Sequence, residues 1–166
     1  MIFTKFGNVF DSPRSYSLAH CISSDGHMGK GIAVQFVSNF PTICALRGTR
    51  LSVGAAVPVF DQGRFIYNLV TKRRYWMKPS LSSLFSSLSS MFLHAEQNGV
   101  ADISLPKIGS GCDKLIFELD VLPQLKQLFS TSNINIHIFW YSEVHPMPRY
   151  VTYICDRSDH SDRFVV

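Results

Sequence analysis

A lysine, two glycines and an aspartate alternate with other residues through Lys107-Ile108-Gly109-Ser110-Gly111-Cys112-Asp113. The apolar run Ala101 to Leu105 precedes them and reads as a buried strand closed by Pro106. The helix-compatible run Leu115 to Phe129 follows. A strand that empties into a glycine loop and then a helix leaves backbone N–H groups unmatched at a helix N-terminus. Gly109 and Gly111 can take positive φ and let an anion approach the backbone closely. Lys107 adds charge, and Asp113 adds a carboxylate at the loop's exit. Alone, such a pattern also describes a plain strand-to-helix turn.

A second glycine loop, Asp25-Gly26-His27-Met28-Gly29-Lys30-Gly31, repeats the arrangement. Apolar residues then fall at Ile32, Ala33, Phe36, Val37 and Phe40, the spacing of a helix, until Pro41 breaks it. Two such N-termini facing each other could hold a diphosphate, with Met28 and Ile32 as apolar walls. Arg64 to Thr71 is the clearest strand and delivers Thr71 and Lys72 to its carboxyl end. Ligands of open α/β sheets sit outside the carboxyl ends of strands, which makes Lys72 a candidate for chemistry.

The remaining elements must position these groups. Met1 to Phe6 reads as a short strand turned by Gly7-Asn8, and Ser17 to Ile22 as a buried one. His20, on that second strand, is expected to be a core histidine. Ala55 to Phe60 is a strand whose Pro58 places it near an edge, and Asp61-Gln62-Gly63 is a hairpin turn. Thr42 to Leu51 reads as a short helix or irregular connection, and Ser52-Val53-Gly54 as the turn into the Ala55 strand. Pro79 to Asn98 reads as a helix with an apolar stripe from Leu81 to Ala95, its serines on the outer face and Gly99 as its stop. Ile134 to Tyr141 is the last clear strand, with Trp140 and Tyr141 at its carboxyl end. The order is β, β, α, β, β, α, β, α, β, which layers as a mixed sheet between helices. From Ser142 the pattern is lost, apart from a short strand at Tyr150 to Ile154.

Composition bounds the partners. The 166 residues suit one domain. A formal charge of +4 and a pI near 9.0 fit an anionic ligand without demanding nucleic acid. Basic residues do cluster at Lys72-Arg73-Arg74 and Lys78. Cys21, Cys44, Cys112 and Cys155 show no metal-type spacing, so reduced thiols in an intracellular protein are expected, with no metal. Neither a secretory signal nor a membrane span is expected.

Several of these stretches together resemble a macro domain. They are Ser17 to Ser23, Met28 to Val34, Thr71 to Arg74, Lys78-Pro79, Leu105 to Leu115 and the closing Ile-x-Ile strand. The resemblance is to the branch that contains terminal ADP-ribose protein glycohydrolase, and it runs from about Ile2 to Tyr141. It implies a macro domain over 1–141 and an unmatched extension, 142–166, packed on it. Such an extension would suit a domain excised from a larger polyprotein of viral type.

The resemblance also implies a three-layer α/β/α sandwich with ADP-ribose at the strand carboxyl ends. Asn8 and Val9 would then meet the adenine, with Tyr141 closing that side. Ser23, Met28, Gly29, Gly31 and Ile32 would line the distal ribose and diphosphate, with Thr71 beside them. Lys107, Ile108, Gly109, Ser110, Gly111 and Cys112 would wrap the phosphates. Lys72 would be the nucleophile and Asp113 the acid/base in removing mono-ADP-ribose from Glu or Asp side chains, and in deacylating O-acyl-ADP-ribose. Asn8 stands where the family usually has Asp, so adenine recognition without that charge is expected to be weaker. The implied partners are ADP-ribose and ADP-ribosylated proteins, with no cofactor and with a monomeric chain. Two alternatives stay open. One is a module that binds ADP-ribose without turnover. The other is a poly(ADP-ribose) or RNA binder using Lys72, Arg73, Arg74 and Lys78 with Tyr75 and Trp76.

Overall fold

The computed structural model describes residues 1–140, together with the backbone pairing of Thr152–Tyr153 and Phe164–Val165. Six strands form one sheet: β1 (Ile2–Phe6), β2 (Ser17–Ser23), β3 (Ala56–Asp61), β4 (Arg64–Lys72), β5 (Asp102–Pro106) and β6 (Asn135–Trp140). Their spatial order is β1-β6-β5-β2-β4-β3. All neighbours are parallel except β3, which runs antiparallel to β4 along the edge that Pro58 marked. The β3–β4 turn has positive φ at both Gln62 and Gly63, the twist that suits a two-residue hairpin. Thr152–Tyr153, which falls inside the expected Tyr150 to Ile154 strand, pairs antiparallel with Phe164–Val165. Tyr141 and the rest of the 142–166 extension lie outside the described residues.

A parallel sheet hides both faces, so its strands bury successive residues instead of alternating ones. Leu18, Ile22, Ile66 and Val70 pack on one face under helix α1 (Ile32–Asn39) and the 3-10 turn Pro41–Leu46. Ala19, Tyr67, Leu69, Leu105 and Ile136 pack on the other under α2 (Leu81–Gln97) and α3 (Leu122–Phe129). The result is the expected three-layer α/β/α sandwich.

Helix α2 begins where Ser80 accepts the Ser83 N–H at 3.0 Å. It ends at Gly99, φ +64, where Val100 N–H reaches Ala95 O at 3.0 Å and Gly99 N–H reaches Glu96 O at 3.4 Å. Its serines correct the sequence reading. Ser83 and Ser87 donate to Thr71 O and Val70 O, Ser86 donates to Gly54 O, and Ser90 accepts from Ala56 N–H. They dock the helix on the β4 side of the sheet, whereas Leu81 is exposed. A second correction concerns the last helix. It does not start at Leu115. A π turn, Phe117–Val121, intervenes before α3, whose second residue is Pro123. Proline has no N–H for the i−4 carbonyl, and the chain passes it through a wider turn in which Leu122 N–H bonds Phe117 O.

Candidate active site

Parallel strands deliver their carboxyl ends to one edge of the sheet, and a cleft of about 860 Å³ runs along that edge. Its walls follow the sheet order. Phe6, Gly7 and Asn8 come off β1, Phe139 and Trp140 off β6, the Pro106 to Asp113 loop off β5, Ser23 off β2 and Lys72 off β4. The last two strands are tied at this end, because Ser24 N–H donates to Lys72 O at 2.8 Å.

Lys72 and Asp113 meet in the cleft wall. Lys72 Nζ donates to Asp113 Oδ1, and both side chains are only 10% exposed. Their neighbour Cys21 also lines the cleft. Burial, with the Asp113 carboxylate nearby, pushes its thiol up to about 12, outweighing the Lys72 charge and a hydrogen bond with Thr71. Cys21 therefore stays protonated at neutral pH.

The loop after β5 presents bare amides. Ile108 N–H, Lys114 N–H and Leu115 N–H bond within the loop, to Pro106 O, Gly111 O and Gly109 O. Among the described residues, no acceptor is found for the N–H groups of Ser110, Gly111, Cys112 and Asp113. Gly109 takes φ +79, but Gly111 stays outside the positive-φ region, against the expectation for it. With the π turn in between, these amides form a nest in the loop itself and not at the N-terminus of α3. The other glycine loop does feed a helix directly: Gly31, φ +62, is the N-cap of α1. The two loops lie close together: a Cβ placed on Gly31 would come within 3.8 Å of Cys112 Sγ.

Most of the expected residues line the cleft: Asn8, Val9, Ser23, Gly31, Ile32, Lys72 and every residue from Lys107 to Asp113. Three do not. Met28 is 1% exposed in the core beneath α1, so it packs instead of walling the ligand. Gly29 lines a separate hollow with His27 and Tyr75. Thr71 is fully buried, its carbonyl taken by Ser83, because alternation along β4 turns it away from the face that Lys72 meets. Asn8 is present but occupied: its Oδ1 accepts Phe10 N–H at 3.1 Å and caps the 3-10 turn Val9–Asp11.

No family model matches the chain. Over 133 residues it is 39% identical to the human ADP-ribose glycohydrolase OARD1, a stretch that takes in 80% of this chain and 87% of that one. Among solved structures, the macrodomain of Thermus aquaticus DarG superposes with a TM-score of 0.74 at 22% identity, over 84% of this chain and 97% of that one. Thermosipho africanus DarTG in complex with ADP-ribose superposes at 0.71 and 18% identity, over 87% and 43%. The chain belongs to the macrodomain family of OARD1.

The macrodomain cleft also contains residues that motif reading passed over. Asp11 brings a carboxylate to the Asn8 end, and Gln35 reaches in from α1. Trp140 lines the end assigned to Tyr141, with Phe6 edge-on to its ring at 5.3 Å. Lys107 Nζ pairs with Glu118 and lies 5.5 Å over both the Phe117 and Trp140 rings, which holds it at the cleft rim. At the Lys72 end, His27 and Tyr75 stack at 4.1 Å and join the Asp25 to Gly31 loop to the segment after β4. Asp25 supports the same junction. Its carboxylate accepts from Ser23 Oγ and His27 N–H and faces Arg74 at 3.8 Å. A stacked histidine and tyrosine 48 positions apart leave no local signal. Only the strand ends bring them together. Among the described residues no group of His, Cys, Asp or Glu is arranged to hold a metal ion, and no helix is long and apolar enough to cross a membrane.

Proposed function

We propose that this macrodomain binds ADP-ribose along the cleft and hydrolyses the ester joining it to Glu or Asp side chains of proteins, with Lys72 as nucleophile and Asp113 as acid/base. The observation that carries the reading is the Lys72–Asp113 contact at one end of a cleft whose middle is lined by unmatched amides. A diphosphate satisfies those amides, the adenine lies between the Asn8 turn and Trp140, and the distal ribose reaches Lys72. Asp11 is the carboxylate available to the adenine amino group, since Asn8 Oδ1 already serves the backbone.

The proton accounting is short. Asp113 takes a proton from the Lys72 ammonium with which it is in contact, leaving a neutral amine. The amine attacks the anomeric carbon, the bond to the acceptor oxygen breaks, and the acceptor side chain departs as a carboxylate. Ring opening then gives a Schiff base between Lys72 and the sugar. As the ring opens, Asp113 returns its proton to the ring oxygen and the alkylated nitrogen gives up one of its two protons to solvent, the net proton of ester hydrolysis. Asp113 later accepts a proton from the attacking water and passes it to the nitrogen. The Schiff-base carbon takes up that water, and collapse of the adduct releases ADP-ribose and restores the amine. Diphosphate binding is remote from the reacting carbon and supplies orientation. An acyl group carried on the anomeric oxygen presents the same bond to the amine, so O-acyl-ADP-ribose acylated at that oxygen is a second substrate of the same corner.

The test is release of ADP-ribose from a protein mono-ADP-ribosylated on Glu. The parent is expected to release it, and Lys72→Ala and Asp113→Ala to be slower by about 100-fold or more, the range of a lost general acid–base or nucleophilic group. A reducible adduct trapped with borohydride in the parent and absent in Lys72→Ala would identify the amine. Binding of ADP-ribose by all three proteins with release by none would establish the non-catalytic reading instead.

A further inference from the structure

Beyond Lys72 lies a second hollow of about 750 Å³, lined by Arg50, Arg73, Arg74, Thr49, Met77 and Asp25 among others. It shares a wall with the cleft: Ser23 and Lys72 face the cleft, and Ser24 and Arg73 face this groove. Alternation at the end of β4 accounts for the split. Of the three guanidiniums, Arg74 faces a carboxylate, Asp25, at 3.8 Å. Arg50 and Arg73 have no ion-pair partner among the described residues, and both are exposed.

The sheet order says what this groove is next to. Along the carboxyl edge the cleft runs from β1 and β6 to β4, and the only strand beyond β4 is β3. If the ribose carbon sits at Lys72, as in the function proposed above, ADP-ribose fills the cleft on one side of that carbon. The acceptor must leave on the other, toward the arginines. It leaves as a carboxylate. We propose that the groove receives the acceptor segment of the modified protein and that Arg50 and Arg73 pair with acidic side chains flanking the modified residue.

A nucleic-acid strand fits the groove less well. Base stacking needs open aromatic faces on a continuous basic track. Tyr75 is stacked on His27 and meets Trp76 edge-on at 4.9 Å, and the Arg74 guanidinium lies 6.0 Å over the Trp76 ring. Asp25 interrupts the positive charge. Separate carboxylates on a peptide can seat individually beside the two unpaired guanidiniums, each in the fork geometry that arginine favours.

The experiment uses two peptides, each with one mono-ADP-ribosylated Glu, flanked by Glu in one and by Gly and Ser in the other, with O-acetyl-ADP-ribose as a substrate that has no acceptor segment. The parent is expected to favour the acidic peptide by about tenfold in kcat/KM, expressed mainly in KM, the size of one charge-assisted contact. The Arg50→Gln/Arg73→Gln double variant is expected to lose that preference while turning over O-acetyl-ADP-ribose within about twofold of the parent. A preference that survives the double substitution, or an equal loss on both peptides, overturns the proposal. A 12-nucleotide RNA that binds the parent through these arginines while the peptides show no preference assigns the groove to nucleic acid and equally overturns it. The same comparison is made as equilibrium binding in Asp113→Ala, acidic peptide against neutral peptide against free ADP-ribose. That arm decides the groove even if no protein turns over, so its failure is distinct from failure of the hydrolase reading.

Discussion

One ring nitrogen of His20 is bonded and the other is bare. Nε2 lies 2.8 Å from Asn68 Oδ1, whose amide group donates to Val57 O and Ile66 O, so the ring is assigned as the Nε2–H tautomer. The ring stacks on Phe36 at 4.0 Å, and Nδ1 has no partner among the described residues. Burial lowers its pKa to about 4, against a partly compensating bond to Asn68. The folded chain thus prefers the neutral ring, and below pH 6.5 the unfolded chain binds more protons. Stability is full above that pH and falls as pH drops toward 4, by roughly 3 kcal/mol from this residue. His137, also lowered chiefly by burial, acts in the same sense. We expect urea midpoints to fall between pH 7 and 4.5, and His20→Gln to be less stable at pH 7 but less steep in acid. An unaltered slope would place the acid sensitivity elsewhere. His20 was readable as a core histidine because a buried strand leaves little else. Met28 and Thr71 were not readable, because a motif locates a loop or strand end without saying which way each side chain turns.

At the scale of elements, the loop after β5 does its work through backbone, and its two glycines are not equivalent. Gly109 has φ +79, and a Cβ there would lie 3.0 Å from Leu115 Cδ1 and 3.2 Å from Leu115 Cβ. Gly111 has no such φ, and its Cβ would meet nothing within 4 Å. We expect Gly109→Ala to cost about 2 kcal/mol in denaturant unfolding, since strain and overlap combine, and Gly111→Ala to stay within about 0.5 kcal/mol. Equal costs would mean that the loop's backbone is not held as described. The paired glycines were visible as a loop, but the run Leu115 to Phe129 read as one helix straight through Pro123. The π turn between them was not. It arises where the loop must hand buried Leu115, Phe117 and Val121 to the core before α3 can begin. The α2 serines were misplaced for a similar reason. Their period is helical, but their partners are carbonyls and amides of β4 and of the segment leading to β3.

For the whole molecule, the cleft is a property of the sheet edge, assembled from five strand ends separated by up to 134 positions in the chain. A ligand that spans it joins elements that otherwise meet only through the sheet. Binding that occurs in the folded chain alone stabilises by mass action, about 2.7 kcal/mol at a ligand concentration 100 times Kd. For a chain of this length that corresponds to a rise of about 5–10 °C in Tm. We expect ADP-ribose to give such a rise in scanning calorimetry and AMP, which reaches only one end, to give less at equal concentration. Lys72→Ala is expected to keep most of the ADP-ribose shift, because the pose proposed above puts the diphosphate on the loop amides and not on the lysine. A shift lost in Lys72→Ala but retained in Gly109→Ala would reverse that assignment.

The residues alone determined the layering, the strand and helix order and the two glycine loops, because periodicity, proline and glycine act over a few neighbours. They also singled out Lys72, and the resemblance to the macro domain added Asp113, 41 positions away, as its partner. Only tertiary structure decided that those two side chains touch, that His27 meets Tyr75, and that Arg50 and Arg73 open into a groove beyond the lysine. Those contacts depend on strand order across the sheet, and strand order is set by how two helical layers pack on its faces, not by any stretch of sequence read by itself.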